Sequence, residues 1–61
     1  MILIPTAIRR DGHGYRPAYR VEGDQRRTPF RDYPCEPTLR EAVERARELI
    51  AERFPTAEIE P

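Results

Sequence analysis

The sequence predicts an α+β fold in which a three-stranded antiparallel β-sheet packs on one C-terminal α-helix, in the order β-β-β-α. Three observations predict it: three strand-like segments, glycine-containing turns between them, and a final segment whose apolar residues recur at helical spacing. The 61 residues allow one domain with a thin margin of stability. We assign residues 1–55 to this domain and expect residues 56–61 to form a loose C-terminal tail.

The first half of the chain supplies the predicted strands, at residues 2–10, 15–22 and 26–31. Turn-forming residues separate them, at 11–14 and 22–25. The simplest topology keeps the strands in sequence order, so the first and third form the edges of the sheet. Pro17 lies in the central strand and cannot donate a ladder hydrogen bond, so we expect a bulge or an interrupted pairing there.

Two-residue alternation predicts which strand side chains face the helix. The predicted helix-facing residues are Ile2, Ile4, Ile8, Tyr15, Tyr19, Val21, Thr28 and Phe30. The opposite parity gives a predicted arginine face on the free side of the sheet, formed by Arg9, Arg16, Arg20, Arg27 and Arg31.

The helix is predicted over residues 38–54, where apolar residues recur at steps of three and four. Thr38 followed by Glu41 forms a capping-box pattern just after Pro37, which indicates the start of the helix. Pro55 ends it, because proline cannot continue a helix.

Positive charge is concentrated in the first half of the chain, although the net charge is zero. Residues 1–34 contain seven arginines and four acids, whereas residues 35–61 contain four arginines and seven glutamates. A row of guanidinium groups on an open sheet surface fits the phosphates of nucleic acid without an enclosed pocket. A merely solvated face is the alternative, because domains with such a footprint usually have an isoelectric point well above the 6.6 of this chain.

The residue content predicts a non-catalytic protein with no metal and no cofactor. One cysteine, Cys35, and one histidine, His13, cannot form a four-ligand zinc site. Cys35 would need a positioned base to act as a nucleophile, and His13 is the only candidate. The apolar start at residues 1–4 is too short for a signal-peptide core or a membrane span, so we expect a cytoplasmic protein with no membrane association.

Residues 14–20 (GYRPAYR), 23–27 (GDQRR) and 28–30 (TPF) resemble the arm-type amino-terminal DNA-binding domain of phage integrases. Those domains share their fold with the plant ethylene-response-factor DNA-binding domain. The resemblance covers about residues 9–51 and implies that the free face of the sheet enters the major groove. It would make the same five arginines the DNA-facing residues: Arg9, Arg16, Arg20, Arg27 and Arg31.

Residues 12–15 (GHGY) and 37–42 (PTLREA) also resemble HicB-type antitoxins. In that family a glycine-tyrosine hairpin and a helix opening Thr-Leu-x-Glu-Ala belong to a half ribonuclease-H-like domain that covers a toxin. This resemblance implies a protein partner rather than a nucleic acid.

Two functional hypotheses follow. The first is a small nucleic-acid-binding module, a DNA-binding accessory or phage-type regulator, that uses the arginine face for phosphate contacts. The alternative is a protein-interaction module, an antitoxin or phage-type inhibitor, that binds its partner through a sheet edge or the acidic helix. The thin core and an open sheet edge also allow a homodimer.

Overall fold

A computed structural model describes residues 1–60 of the chain. It contains β1 (Ile2–Arg10), β2 (Gly14–Val21), β3 (Thr28–Pro29), α1 (Leu39–Arg53) and β4 (Glu58–Ile59). The strands form one sheet in the order β3-β2-β1-β4, with β4 parallel to β1 and the other pairs antiparallel. The predicted α+β class and the C-terminal helix are confirmed, but the sheet has four strands rather than three.

A three-residue loop joins β1 to β2 and sets the register of the hairpin. Gly12 and Gly14 have positive φ angles of 79° and 88°, a region that glycine reaches without steric cost. The His13 N–H donates to the carbonyl of Arg10 at 2.8 Å and closes the turn. Arg10 therefore pairs with Gly14 rather than with Tyr15.

This register reverses the predicted orientation of β1. The four-residue turn that the sequence suggested would pair residue 10 with residue 15, whereas the observed pairing is shifted by one. A one-residue shift turns every side chain of a strand to the other face. The prediction that Ile2, Ile4 and Ile8 face the helix is therefore wrong; the buried residues of β1 are Leu3, Pro5 and Ala7.

The third strand is much shorter than the predicted 26–31. Before it, the Asp24 carboxylate accepts from the Arg26 N–H at 2.9 Å, which stabilises a turn. After it, the Tyr33 N–H donates to the carbonyl of Phe30 at 3.2 Å and turns the chain away from the sheet. Only Thr28 and Pro29 remain as β3, so this edge of the sheet is short.

Pro17 interrupts the pairing of β2 with the β3 side of the sheet, as expected, and costs no bond to β1. Its carbonyl accepts from the Phe30 N–H at 2.9 Å, so the backbone of residue 17 faces Phe30 and not β1. An ordinary residue here would return a hydrogen bond to the Phe30 carbonyl. That carbonyl instead lies 3.3 Å from the Arg16 guanidinium and 3.2 Å from the Tyr33 N–H.

The C-terminal segment does not form the loose tail that we expected for residues 56–61. Glu58 and Ile59 pair with Ile2 and Leu3, and the Glu60 N–H donates to the Leu3 carbonyl at 3.0 Å. β4 thus covers only the start of β1, and the rest of β1 has no strand partner on that side within the described residues. Pro61 lies outside the described residues.

The helix begins and ends where the sequence predicted. The Thr38 side chain accepts from the Glu41 N–H at 3.2 Å and Phe54 closes the last turn through the Ile50 carbonyl at 2.8 Å. Two small residues, Ala42 and Ala46, are fully buried, which lets the helix approach the sheet closely. No helix within residues 1–60 is long and apolar enough to cross a bilayer.

The core lies between α1 and one face of the sheet. Its central cluster contains Leu3, Phe30, Ala46, Leu49 and Ile50. The Tyr19 ring packs between Phe30 and Phe54, with ring centroids 5.4 and 5.3 Å away. Tyr19, Val21 and Phe30 therefore contact the helix side, as the alternation of β2 and the third segment predicted.

The loop before the helix is tied to the last helical turn by a two-point ion pair. The Arg53 guanidinium donates to both carboxylate oxygens of Asp32, at 2.9 and 2.8 Å. The same guanidinium lies 5.4 Å from the centre of the Phe30 ring. Hydrogen bonding to Arg53 lowers the pKa of Asp32 below its ordinary value.

We expect this pair to make the stability of the protein dependent on acid pH. Because the pKa of Asp32 is lower in the folded chain, its contribution is complete above the unfolded-state pKa of about 4 and is lost as the pH falls through the lowered value. Asp32→Asn should therefore flatten the decrease of the thermal midpoint between about pH 5 and pH 2. Glu22→Gln in the exposed turn after β2 controls for the loss of one negative charge; an equal flattening in both variants would contradict the prediction.

Candidate nucleic-acid interface

Within residues 1–60, no helix packs on the sheet face opposite α1, although Ala18 on that face is fully buried. The register places Ile8 directly opposite Arg16 and Ile4 directly opposite Arg20 on this free face. Side chains of even number in β1 and β2 thus share it, while odd-numbered ones face α1. The free face therefore combines arginines from β2 with β-branched residues from β1.

Four arginines on the free face surround one open groove of about 410 Å³. We call this the basic groove; its lining residues are Ile8, Arg10, Arg16, Arg27, Pro29 and Arg31. No acidic residue lines it. The groove can therefore receive an anionic group with guanidinium donors on several sides and apolar contacts on its floor.

Three of the five residues of the predicted arginine face line the basic groove: Arg16, Arg27 and Arg31. Arg20 lies on the same face but outside the groove, and its guanidinium donates to the Asp24 carbonyl at 3.2 Å. Arg9 lies on the opposite face, directly across from Tyr15, with its guanidinium 3.5 Å from Asp11. The placement of Arg9 on the free face was wrong.

Arg10 occupies the place on the free face that was predicted for Arg9. The one-residue shift in register that reorients the isoleucines also moves Arg9 off this face and Arg10 onto it. Arg10 is exposed and lines the basic groove. A correct loop length for the hairpin would have identified it, since pairing residue 10 with Gly14 fixes the parity of the whole strand.

Carboxylate partners are distributed very unevenly among the arginines. The helical arginines Arg40, Arg45 and Arg53 each have a carboxylate oxygen within 4.0 Å. Within residues 1–60, none of the four arginines of the basic groove has one; of the residues outside the helix, only Arg9 does. The basic groove thus carries uncompensated positive charge although the chain as a whole is neutral.

Backbone carbonyls hold two of the groove arginines in place. The Arg16 Nη1 atom lies 3.3, 3.3 and 2.7 Å from the carbonyl oxygens of Phe30, Arg31 and Tyr33. Arg27 donates to the Ala7 carbonyl at 2.9 Å, so its side chain crosses β2 to reach β1. Carbonyls position these guanidinium groups without neutralising them, whereas Arg10 and Arg31 make no side-chain hydrogen bond within the described chain.

A second concavity, of about 310 Å³, adjoins the end of the hairpin. Its lining residues are Arg10, His13, Arg16 and Cys35. His13 is exposed in the turn, and Cys35 is a half-buried free thiol. We call this the hairpin concavity; it shares Arg10 and Arg16 with the basic groove.

The helix carries the acidic surface of the molecule. A shallow groove of about 180 Å³ is lined by Glu36, Glu41, Glu44, Arg45 and Glu48. Arg45 lies within 3.7 Å of Glu36 and 2.7 Å of Glu48, so this surface is partly neutralised internally. Residues 1–60 contain no cluster of three or more histidine, cysteine or acidic side chains arranged to hold a metal ion.

Comparison of the chain with protein-family models, with curated proteins and with solved structures finds no match.

Proposed function

We propose that this protein is a small non-catalytic nucleic-acid-binding module that contacts phosphates through the basic groove. The observation that supports it best is the contrast between paired and unpaired arginines. On the helix, Arg40 and Arg45 pair with glutamates and Arg53 pairs with Asp32, but the four arginines around the basic groove have no carboxylate partner within residues 1–60. Unpaired guanidinium groups attract phosphates, and binding releases the counterions condensed on the nucleic acid.

The arrangement favours phosphate contacts over specific reading of bases. Guanidinium groups held by backbone carbonyls, as in Arg16 and Arg27, present their remaining donors in a fixed orientation. Tyr19 packs in the core against α1, so its ring cannot stack on a base. We therefore expect strong salt dependence and modest sequence preference.

Arg10→Gln combined with Arg31→Gln tests the proposal with little disturbance of the fold, because neither side chain makes an internal hydrogen bond in the described chain. Loss of two phosphate contacts should weaken binding of a fluorescein-labelled 20-base-pair duplex about tenfold or more and lower the salt slope by about 2. Fluorescence anisotropy between 50 and 200 mM NaCl measures both quantities.

The matched control is Arg40→Gln combined with Arg47→Gln, which removes the same charge from the exposed helix face. It should retain most of the affinity, since neither side chain lines the basic groove. Because Arg47 donates to the Glu60 carbonyl at 2.9 Å, circular dichroism checks that this variant keeps its fold. The proposal fails if the parent protein does not bind the duplex at 50 mM NaCl. Equal losses in both double variants would show non-specific attraction and contradict the assignment to the basic groove.

A protein-interaction module is the second candidate, because apolar side chains share the free face. Ile2, Ile4 and Ile8 are half-buried there without cover from the helix, and arginine beside apolar residues is typical of protein interfaces. Sheet-edge binding would use β1 beyond Leu3, which has no strand partner on the side away from β2 within the described residues, because β3 has only two residues. Ile4→Ser should abolish binding to a protein partner while changing duplex affinity less than Arg10→Gln with Arg31→Gln does.

The acidic helix is the other surface on which a protein partner could bind. Glu44→Gln with Glu48→Gln removes two acids from its groove. Loss of partner binding in this variant, with duplex binding unchanged, would favour the protein-interaction function over the nucleic-acid function.

A further inference from the structure

The basic groove and the hairpin concavity meet at two residues. Arg10 and Arg16 line both, and no acid lines either one. The positive surface is therefore continuous from Pro29 and Arg31 beside β3 to the turn at His13. Nothing in the described lining interrupts it with negative charge.

The hairpin end of this surface is well ordered by its backbone. The His13 N–H is bound to the Arg10 carbonyl at 2.8 Å, and His13 stands between two glycines with positive φ. On the other side, Tyr15 and Glu36 exchange two backbone hydrogen bonds of 2.8 and 2.7 Å, which fix the segment carrying Cys35. The imidazole of His13 adds a donor at the end of the arginine row.

The length of the surface indicates how much ligand it can hold. Pro29 pairs with Ala18, and Gly14 lies four residues earlier on β2. At about 3.3 Å per residue, the surface from Pro29 to the hairpin turn is about 13 Å long. A nucleic-acid strand advances at least about 3.4 Å per nucleotide, so the two concavities together hold at most about four nucleotides.

We infer that one nucleic-acid strand binds across both concavities, with its phosphate backbone running from Pro29 past Arg31 and Arg16 to Arg10 and His13. This inference rests on the proposed function and specifies its ligand: a backbone segment of several nucleotides, at most about four, rather than a single phosphate or a mononucleotide. The Cys35 thiol lines the far concavity, so a bound strand covers it. Cys35 thereby reports on the end of the surface that the basic groove alone does not include.

The test measures the rate at which N-ethylmaleimide alkylates Cys35, with and without a saturating 12-base-pair duplex at 50 mM NaCl. The duplex should slow alkylation at least tenfold. The reagent is uncharged, so electrostatic repulsion of the reagent by the duplex does not contribute to the change in rate. The control protein carries Cys35→Ser with Glu52→Cys, which moves the thiol to the exposed outer surface of α1, and its alkylation rate should not change.

The outcomes separate the two proposals. If the duplex binds by anisotropy and Arg10→Gln with Arg31→Gln weakens it, but Cys35 reacts at the free rate, the extended track is wrong and the basic groove stands. If the duplex does not bind at all, the proposed function itself fails. Deoxyadenosine monophosphate should leave the Cys35 rate within twofold of the free value; tenfold protection by this mononucleotide would also overturn the extended track.

Discussion

Gly14→Ala is expected to lower the free energy of unfolding by about 2 to 5 kcal/mol. Gly14 has a φ of 88°, and a Cβ atom there would lie 2.2 Å from the carbonyl oxygen of Glu36. The neighbouring atoms are backbone, so no flexible side chain can yield. Either β2 or the segment before the helix has to move.

The cost has two parts. A left-handed conformation costs an L-residue about 1 to 2 kcal/mol. Separating the strands also weakens the two hydrogen bonds between Tyr15 and Glu36, at about 0.5 to 1.5 kcal/mol each. The sum of about 2 to 5 kcal/mol compares with a total stability of about 3 to 9 kcal/mol for a chain of this size.

Gly12→Ala is the matched control for this prediction. Gly12 also has a positive φ, 79°, but an added Cβ would meet nothing within 4 Å. The free energy of unfolding of Gly12→Ala should fall only by the cost of the left-handed conformation, about 1 to 2 kcal/mol. Urea denaturation followed by circular dichroism measures both variants, and equal losses would show that the contact with Glu36 is not the cause.

The helix could be predicted to within one residue because its signals are local. A period of about 3.6 residues, the cap at Thr38 and the stop at Pro55 all act within one turn of the residues concerned. None of them depends on where the rest of the chain lies. The α+β class followed from this helix together with the glycine-punctuated strands.

The orientation of β1 could not be predicted in the same way, since its first residues are apolar at both parities. Because Ile2, Leu3 and Ile4 are all apolar, either face of β1 would present apolar side chains to the helix. Only the register with β2 decides which face does so. That register depends on whether the hairpin loop has three residues or four. One residue of loop thus moved three isoleucines to the free face and exchanged Arg9 for Arg10 in the candidate site.

β4 was missed because its sequence signal is too short to distinguish a strand from a polar tail. Ala57 and Ile59 alternate with Glu58 and Glu60 over only four residues. The strand forms because β1 offers an unpaired edge at Ile2 and Leu3 after the helix has returned the chain to it. That is tertiary information, which a local pattern does not contain.

Arg16→Ala is expected to lower the free energy of unfolding by about 2 kcal/mol. Because of this loss of stability, weaker binding by this variant does not by itself test phosphate contacts. The Arg16 Nη1 atom donates to the carbonyl oxygens of Phe30, Arg31 and Tyr33. These hydrogen bonds hold the loop after β3 against β2. Hydrogen bonds from a charged donor contribute about 1.5 to 3 kcal/mol each. The buried Nε atom of Arg16 has no partner and offsets part of this gain.

Arg20→Ala provides the comparison, since Arg20 makes one exposed hydrogen bond, to the Asp24 carbonyl at 3.2 Å. Its loss should cost less than about 1 kcal/mol. Thermal unfolding of both variants at pH 7 measures the difference, and equal midpoints would refute the bracing role of Arg16.

The thermal result decides how a loss of duplex binding in Arg16→Ala is interpreted. If the midpoints are equal, the loss shows that Arg16 contacts the duplex. If Arg16→Ala is the less stable variant, the same loss reports displacement of the loop that carries Arg31. For this reason Arg10 and Arg31, whose side chains make no hydrogen bond within residues 1–60, are the arginines whose removal tests phosphate binding directly.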